Sequence, residues 1–193
     1  MKKKNAIIRF EGIRIRNGKP ITKVGFDSGV LVALIDNDKE YNLKRPEFFI
    51  RKGICFVYQL VVNQTIGVLF YKRNYPKEKA IDETLKYLQE NNIFIIKEEE
   101  INIEKRNSIF ESLKQERNKI KVVPKPEDSD LDIFASYKVM GIDCIITTNY
   151  KHFIELGGYL EIYVEKIETE KQKVRRENEK MMRDFFWKSK RFK

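Results

Sequence analysis

Five short apolar runs punctuate this chain, at Lys23–Phe26, Ile54–Val62, Ile93–Ile96, Cys144–Thr148 and Tyr159–Val164, and segments of helical character separate them. Ile54–Val62, nine residues rich in β-branched and aromatic side chains, reads as a strand buried on both faces. Helices are expected at Val30–Ile35, Arg45–Arg51, about Asn63–Arg73, and Lys77–Glu90, where Ile81, Leu85 and Leu88 form an apolar stripe. A helical region runs from Glu98 to Lys119. Ser129–Met140 is a punctuated helix: Ser129 caps it, Asp130 and Asp132 occupy its first turn, and Gly141 ends it. Tyr150–Leu156 is a short helix and Gly157-Gly158 a turn. Strands alternating with helices at this spacing predict an α/β fold with a largely parallel sheet covered on both faces. In such sheets ligands bind beyond the carboxyl ends of the strands, near the point where the strand order reverses. The residues that follow the predicted strands are Asp27, Asn63-Gln64, Lys97–Glu100 and Thr148-Asn149.

Charge divides the 193 residues into a body and two ends. The whole chain carries +10, but residues 1–23 hold eight basic residues and one acid, and residues 166–193 hold eleven basic and five acidic. The body between them has 20 basic residues against 23 acids, a net −3. We therefore expect a basic N-terminal strand or hairpin arm over 1–22, turned at Asn17-Gly18, a body over 23–165, and a basic helical tail over 166–193. Two cysteines inside apolar runs, Cys55 and Cys144, do not make a disulfide framework, and with the single His152 they fall short of a structural zinc site. No apolar run approaches the roughly 18 residues of a membrane span. Met1-Lys2-Lys3-Lys4 is similar to the start of a signal peptide, yet Arg9 and Glu11 interrupt the apolar stretch it would need. The expectation is a soluble, cytoplasmic protein without a membrane partner.

Asp27 and Asp130 each stand at the start of a helix, where a carboxylate caps or favours the dipole without further function. Asn149 suits a turn. What gives these residues chemical interest is convergence: the topology brings them to one edge of one sheet. Carboxylates gathered without arginine partners repel each other, and a divalent cation relieves the repulsion. Oxygen ligands without His or Cys select Mg²⁺ or Mn²⁺.

Three ordered segments resemble those of PIN-domain nucleases. Val24-Gly25-Phe26-Asp27-Ser28-Gly29, leading into Val30–Ile35, is similar to the family's opening strand, acid, small residue and apolar helix. Asp130-Leu131-Asp132-Ile133-Phe134-Ala135, running to Gly141, resembles its acid-bearing helix, and Thr147-Thr148-Asn149 followed by Phe153 resembles its strand ending in Thr-x-Asp/Asn. The resemblance spans about 24–165 and implies a three-layer α/β/α fold with metal-dependent hydrolysis of RNA phosphodiesters. It implies Asp27, Asp130 and Asp132 as ligands of Mg²⁺ or Mn²⁺, with Asn149 at the fourth position. Two positions depart from the family pattern. Gln64 stands where an acid is usual, bringing an amide oxygen but no charge, and His152 stands where members with Asn at the Asn149 position often carry an acid, three residues later. Glu98, Glu99 and Glu100 are the nearest alternative acids.

The ends fit such a body. In the tail, Lys171, Lys173, Arg175, Arg176, Lys180, Arg183, Lys188, Lys190 and Arg191 are interleaved with aromatic residues, Trp187 among them, a pattern suited to phosphates and unpaired bases. Arg14 and Arg16 share one face of the arm. Val174, Met181 and Phe185 fall at helical spacing, so the tail also suits packing against a protein partner or a second copy. Two functions stay open: a metal-dependent endoribonuclease, toxin-like or RNA-processing, and a PIN-like subunit without catalysis that binds RNA or scaffolds a complex.

Overall fold

The computed structural model describes residues 23–120 and 125–169, with positions 171, 172, 174, 175, 178 and 181 of the tail. The expected arm, with Arg14 and Arg16, lies outside them, as do Lys173, Arg176, Lys180, Arg183, Trp187, Lys188, Lys190 and Arg191.

Among the described residues five strands form one sheet: β1 (Lys23–Phe26), β2 (Ile54–Tyr58), β3 (Phe94–Ile96), β4 (Cys144–Thr147) and β5 (Tyr163–Lys166). Every pairing is parallel and the order is β3-β2-β1-β4-β5. Between the strands lie α1 (Ser28–Ile35), α2 (Lys44–Lys52), α3 (Gln59–Tyr71), α4 (Lys77–Glu90), α5 (Ile103–Lys119), α6 (Asp128–Val139) and α7 (Tyr150–Leu160), with a short 3₁₀ turn at Glu98–Glu100. The chain steps outward from β1 to β3, then returns past β1 to β4 and β5. Right-handed crossovers in opposite directions put the helices of the outward path and those of the return path on opposite faces. Accordingly α1, α3 and α4 pack together, and α5, α6 and α7 pack together. The order reverses between β1 and β4, both buried along most of their length. No helix among the described residues is long and apolar enough to cross a membrane.

The strands and helices match the predicted α/β alternation, with local corrections. The run Ile54–Val62 is not one strand: β2 stops at Tyr58 and α3 begins at Gln59. A continuous apolar run carries no period to separate strand from buried helix. Here Val61, Val62, Thr65 and Leu69 form the buried helical face. Gly157-Gly158 is no turn, and the last strand begins at Tyr163 and not at Tyr159: α7 continues to Leu160 and ends at Glu161, whose φ of 56° is left-handed. Gly157 is small because a Cβ there would meet the Ile162 carbonyl oxygen at 2.7 Å as well as the Val164 side chain. Its glycine serves close helix–strand approach. On α4 the buried face is Ala80, Thr84 and Leu88, and Leu85 is exposed.

The α6 N-terminus also differs from expectation. Its cap is Glu127, not Ser129, and the Asp130 carboxylate accepts from the Glu127 backbone N–H at 3.0 Å. Gly141 ends this helix in the left-handed region as expected, at φ 68°. The tail begins at Thr169. That residue bridges to Tyr41 and exchanges backbone-to-side-chain hydrogen bonds with Gln172, at 3.1 and 3.3 Å.

Candidate functional site

Asp27 stands directly beyond β1 at the reversal of strand order, and its carboxylate joins the two central strands. Oδ1 accepts from the Val30 N–H at 2.9 Å, capping α1. Oδ2 accepts from the Thr147 hydroxyl and from the Thr148 N–H at 3.2 Å, both at the end of β4. The residue is 5% exposed. Burial pushes its pKa up to about 6, against the pull of the hydrogen bonds from Thr147, Val30 and Thr148, and the charge of Asp130 pushes the same way as burial. No cation faces this carboxylate in any recorded ion pair among the described residues.

From Asp27 a chain of polar contacts runs to Asp130. Thr147 Oγ1 accepts from the Asn149 N–H at 2.8 Å. Asn149 Nδ2 lies 2.7 Å from His152 Nδ1, which is 3.3 Å from Asp130 Oδ2. A single Nδ1 serves one of these two contacts at a time: it accepts from the amide when bare, and donates to Asp130 when it carries a proton. Gln64 reaches the same place from α3. With Asp130, Asn149 and His152 it lines a cleft of about 500 Å³. Because α3 starts earlier than expected, Gln64 lies more than one turn inside the helix and not at a strand end.

Asp132 is turned elsewhere. Its Oδ1 lies 2.9 Å from Arg106 Nε, and the same guanidinium holds Glu98 at 3.0 Å. The Arg106 Nε and Asp132 Oδ1 atoms are buried and misaligned for a hydrogen bond, so the contact is an ion pair only. Burial raises the Asp132 pKa while Arg106 opposes it. Two positions along a helix is about 200°, which separates Asp132 from Asp130. Glu99 pairs with Lys97, and the Glu100 carboxylate accepts from the Lys97 N–H. None of these acids lines the cleft.

Small residues and one tyrosine hold this arrangement in place. A Cβ at Gly25 would lie 2.8 Å from the Tyr137 ring, so glycine there lets α6 sit close on β1. The Tyr137 hydroxyl donates to the Phe26 carbonyl at 2.6 Å and accepts from the Tyr58 N–H at 3.3 Å. It thereby fixes the end of β1 against the start of α3. A Cβ at Gly29 would collide with the Thr148 side chain. Sequence patterns alone did not single out Tyr137, Tyr71 or Lys72. The latter two also line the cleft, and only the placement of α3 brings them there.

The donor set suits a hard divalent cation held partly by water and substrate. Among the described residues no three His, Cys, Asp or Glu side chains converge as a protein-only cage would require. Mg²⁺ commonly takes one or two carboxylates, waters and phosphate oxygens. Asp130 lines the cleft with the amides of Gln64 and Asn149, and Asp27, not itself among the lining residues, is joined to that wall through Thr147 and Thr148.

No protein-family model matches the sequence, and no curated protein does. Solved structures do match. VapBC2 from Rickettsia felis, bound to a DNA fragment from its promoter, aligns with a TM-score of 0.57 at 15% identity over 76% of this chain and 100% of the other. VapBC-1 from nontypeable Haemophilus influenzae aligns with a TM-score of 0.52 at 12% identity, covering 75% and 98%. FitAB bound to an IR36 DNA fragment gives 0.51 at 11% identity, covering 74% and 94%. The fold is PIN-like, as the three sequence segments implied.

Proposed function

We propose that this chain is a PIN-type endoribonuclease using Mg²⁺ or Mn²⁺. The observation that carries the reading is the row of polar groups from Asp27 through Thr147 and Asn149 to His152 and Asp130, the last three of which line a cleft near the reversal of strand order. Asp27 and Asp130 would hold the cation. When bound, it lowers the pKa of a coordinated water and offsets charge on the phosphate. The protein's own part is orientation: three donors fix the Asp27 oxygens, Thr147 links Asp27 to Asn149, and the amides of Asn149 and Gln64 offer neutral oxygens. Asp132 enters this scheme only if Arg106 releases it, so we place it outside the ligand set.

A second reading, an RNA-binding or scaffolding subunit without catalysis, is favoured by one observation. His152 occupies Asp130, and Gln64 brings no charge, leaving two carboxylates for the ion. The readings separate when labelled single-stranded RNA is incubated with Mn²⁺ or with EDTA. Metal-dependent cleavage that disappears in Asp27→Asn supports the enzyme. Binding without cleavage, unchanged by that substitution, supports the subunit.

RNA is the proposed partner of the basic ends. In the tail, Lys171 and Arg175 are exposed, and so are the apolar Val174 and Met181, at 52% and 65%. The solved neighbours are themselves complexes, which supports a protein partner, and the exposed Val174 and Met181 make the tail a candidate surface for one.

A further inference from the structure

We propose that the mouth of the cleft holds an unpaired base of an RNA strand on the ring of Tyr71, with Lys72 on a neighbouring phosphate. This rests on the ribonuclease reading and adds to it a subsite for the substrate. Tyr71 is the last residue of α3, a helix whose other large side chains turn mostly inward, yet its ring is 78% exposed. The ring is nonetheless braced: Phe70 meets it edge-on, with centroids 4.5 Å apart and planes at 61°. Phe70 in turn packs on the small cluster of Val32, Leu69 and Ala80. An aromatic ring held by one neighbour and otherwise largely exposed is a stacking platform, and every base presents a π-face to it.

Its neighbours decide the chemistry of the ligand. Tyr71 lines the same cleft as Asp130, Asn149 and His152. Lys72 lines that cleft and an adjoining one of about 320 Å³. Arg73, next in sequence, is tied to Asp36 at 3.1 Å and to Asp38 at 2.8 Å. Lys72 has no ion pair recorded among the described residues, so it is the cation left to the mouth. A ligand with a flat apolar face and an anionic group one step away, leading into a carboxylate site, is a nucleotide of a single strand. A duplex would keep its bases stacked on each other and unavailable to Tyr71. The polar walls contributed by Gln64, Ser28 and Asn149 do not offer the dry core that a protein partner would need.

The test uses the full chain and a fluorescently labelled single-stranded oligoribonucleotide in EDTA, with binding read by anisotropy. Tyr71→Ala should weaken binding about tenfold, and Tyr71→Phe should retain it. Replacing one nucleotide at a time by an abasic ribose should locate a position whose loss costs wild type about tenfold and costs Tyr71→Ala nothing more. Lys72→Gln should lower the slope of log K against log salt by about 0.7. Wild-type binding that Tyr71→Ala leaves unchanged overturns the subsite while the ribonuclease reading stands. Additive losses from Tyr71→Ala and every abasic position also overturn it. Failure of the wild-type chain to bind RNA in EDTA overturns the subsite, and failure with Mn²⁺ as well overturns both.

Discussion

Asp27 is asked to be ionised in a place where burial favours its neutral form, and this has a measurable sign. Its pKa is about 6 in the folded protein against 3.8 for the unperturbed group. Below both values the carboxyl is protonated folded or unfolded and contributes nothing to pH dependence. As pH rises from about 4 to about 6 the unfolded chain releases this proton first, so stability falls, by about 3 kcal/mol in all. Metal-free protein should lose stability across that window in denaturant titrations, and Asp27→Asn should remove that component of the pH dependence. A second prediction concerns charge at the cleft. Gln64→Glu should raise Mn²⁺ affinity measured by calorimetry, and so should His152→Asp, which also frees Asp130 from the imidazole. Unchanged affinity in both would remove the cleft from consideration as a metal centre. At this scale the sequence was informative where one residue follows a strand: Asp27 and Asn149 were legible from position alone. Asp132 was not. Its pairing with Arg106 depends on how α5 packs on α6, which no local pattern near either residue records.

Elements were legible where a period or a cap existed. The alternation of apolar runs with amphipathic stretches was sufficient for a parallel sheet, and Gly141 marked the end of α6. The failures at Ile54–Val62 and Gly157-Gly158 share a cause: tertiary packing overrode a local signal. At α3 the burial of Val61 and Val62 by neighbouring helices makes a continuous apolar run compatible with a helix. At α7 a glycine pair that reads as a turn is instead the small surface on which β5 rests. Gly157→Ala should therefore destabilise the protein by about 1–3 kcal/mol, since the new methyl meets a backbone carbonyl that cannot rotate away. Gly158→Ala, with open space around its Cβ, should be neutral or slightly stabilising. Thermal melts of the two variants make the comparison, and equal melting temperatures would refute the close-approach account of Gly157.

For the whole molecule, charge is distributed between a body of net −3 and two basic ends. An acidic cleft repels phosphate at long range, and the ends supply the opposing field. Deleting residues 170–193, a cut placed after the Thr169 cap so that β5 stays intact, should weaken RNA binding and flatten its salt dependence. An unchanged slope would assign the tail to a protein partner. The fold-level legibility of the chain came from three motifs in order, and the site departs from the family pattern at two positions, Gln64 and His152, where an acid is absent.

The hydrogen bond from Thr147 to Asp27 closes a loop of 120 positions. β1, near the start of the described chain, pairs with a strand synthesised about 120 residues later, and the hydrogen-bonded groups between Asp27 and Asp130 lie in residues 147–152. Such non-local closure is slow to form because the loop's entropy is lost before its contacts are gained. A nascent chain on the ribosome, or one cut short before Asn149, would carry Asp27 without the partners that orient it. On the ribonuclease reading proposed above, competence would then arrive only after the strands on both sides of the reversal point have left the exit tunnel, and an incomplete chain beside ribosomal RNA would be inert.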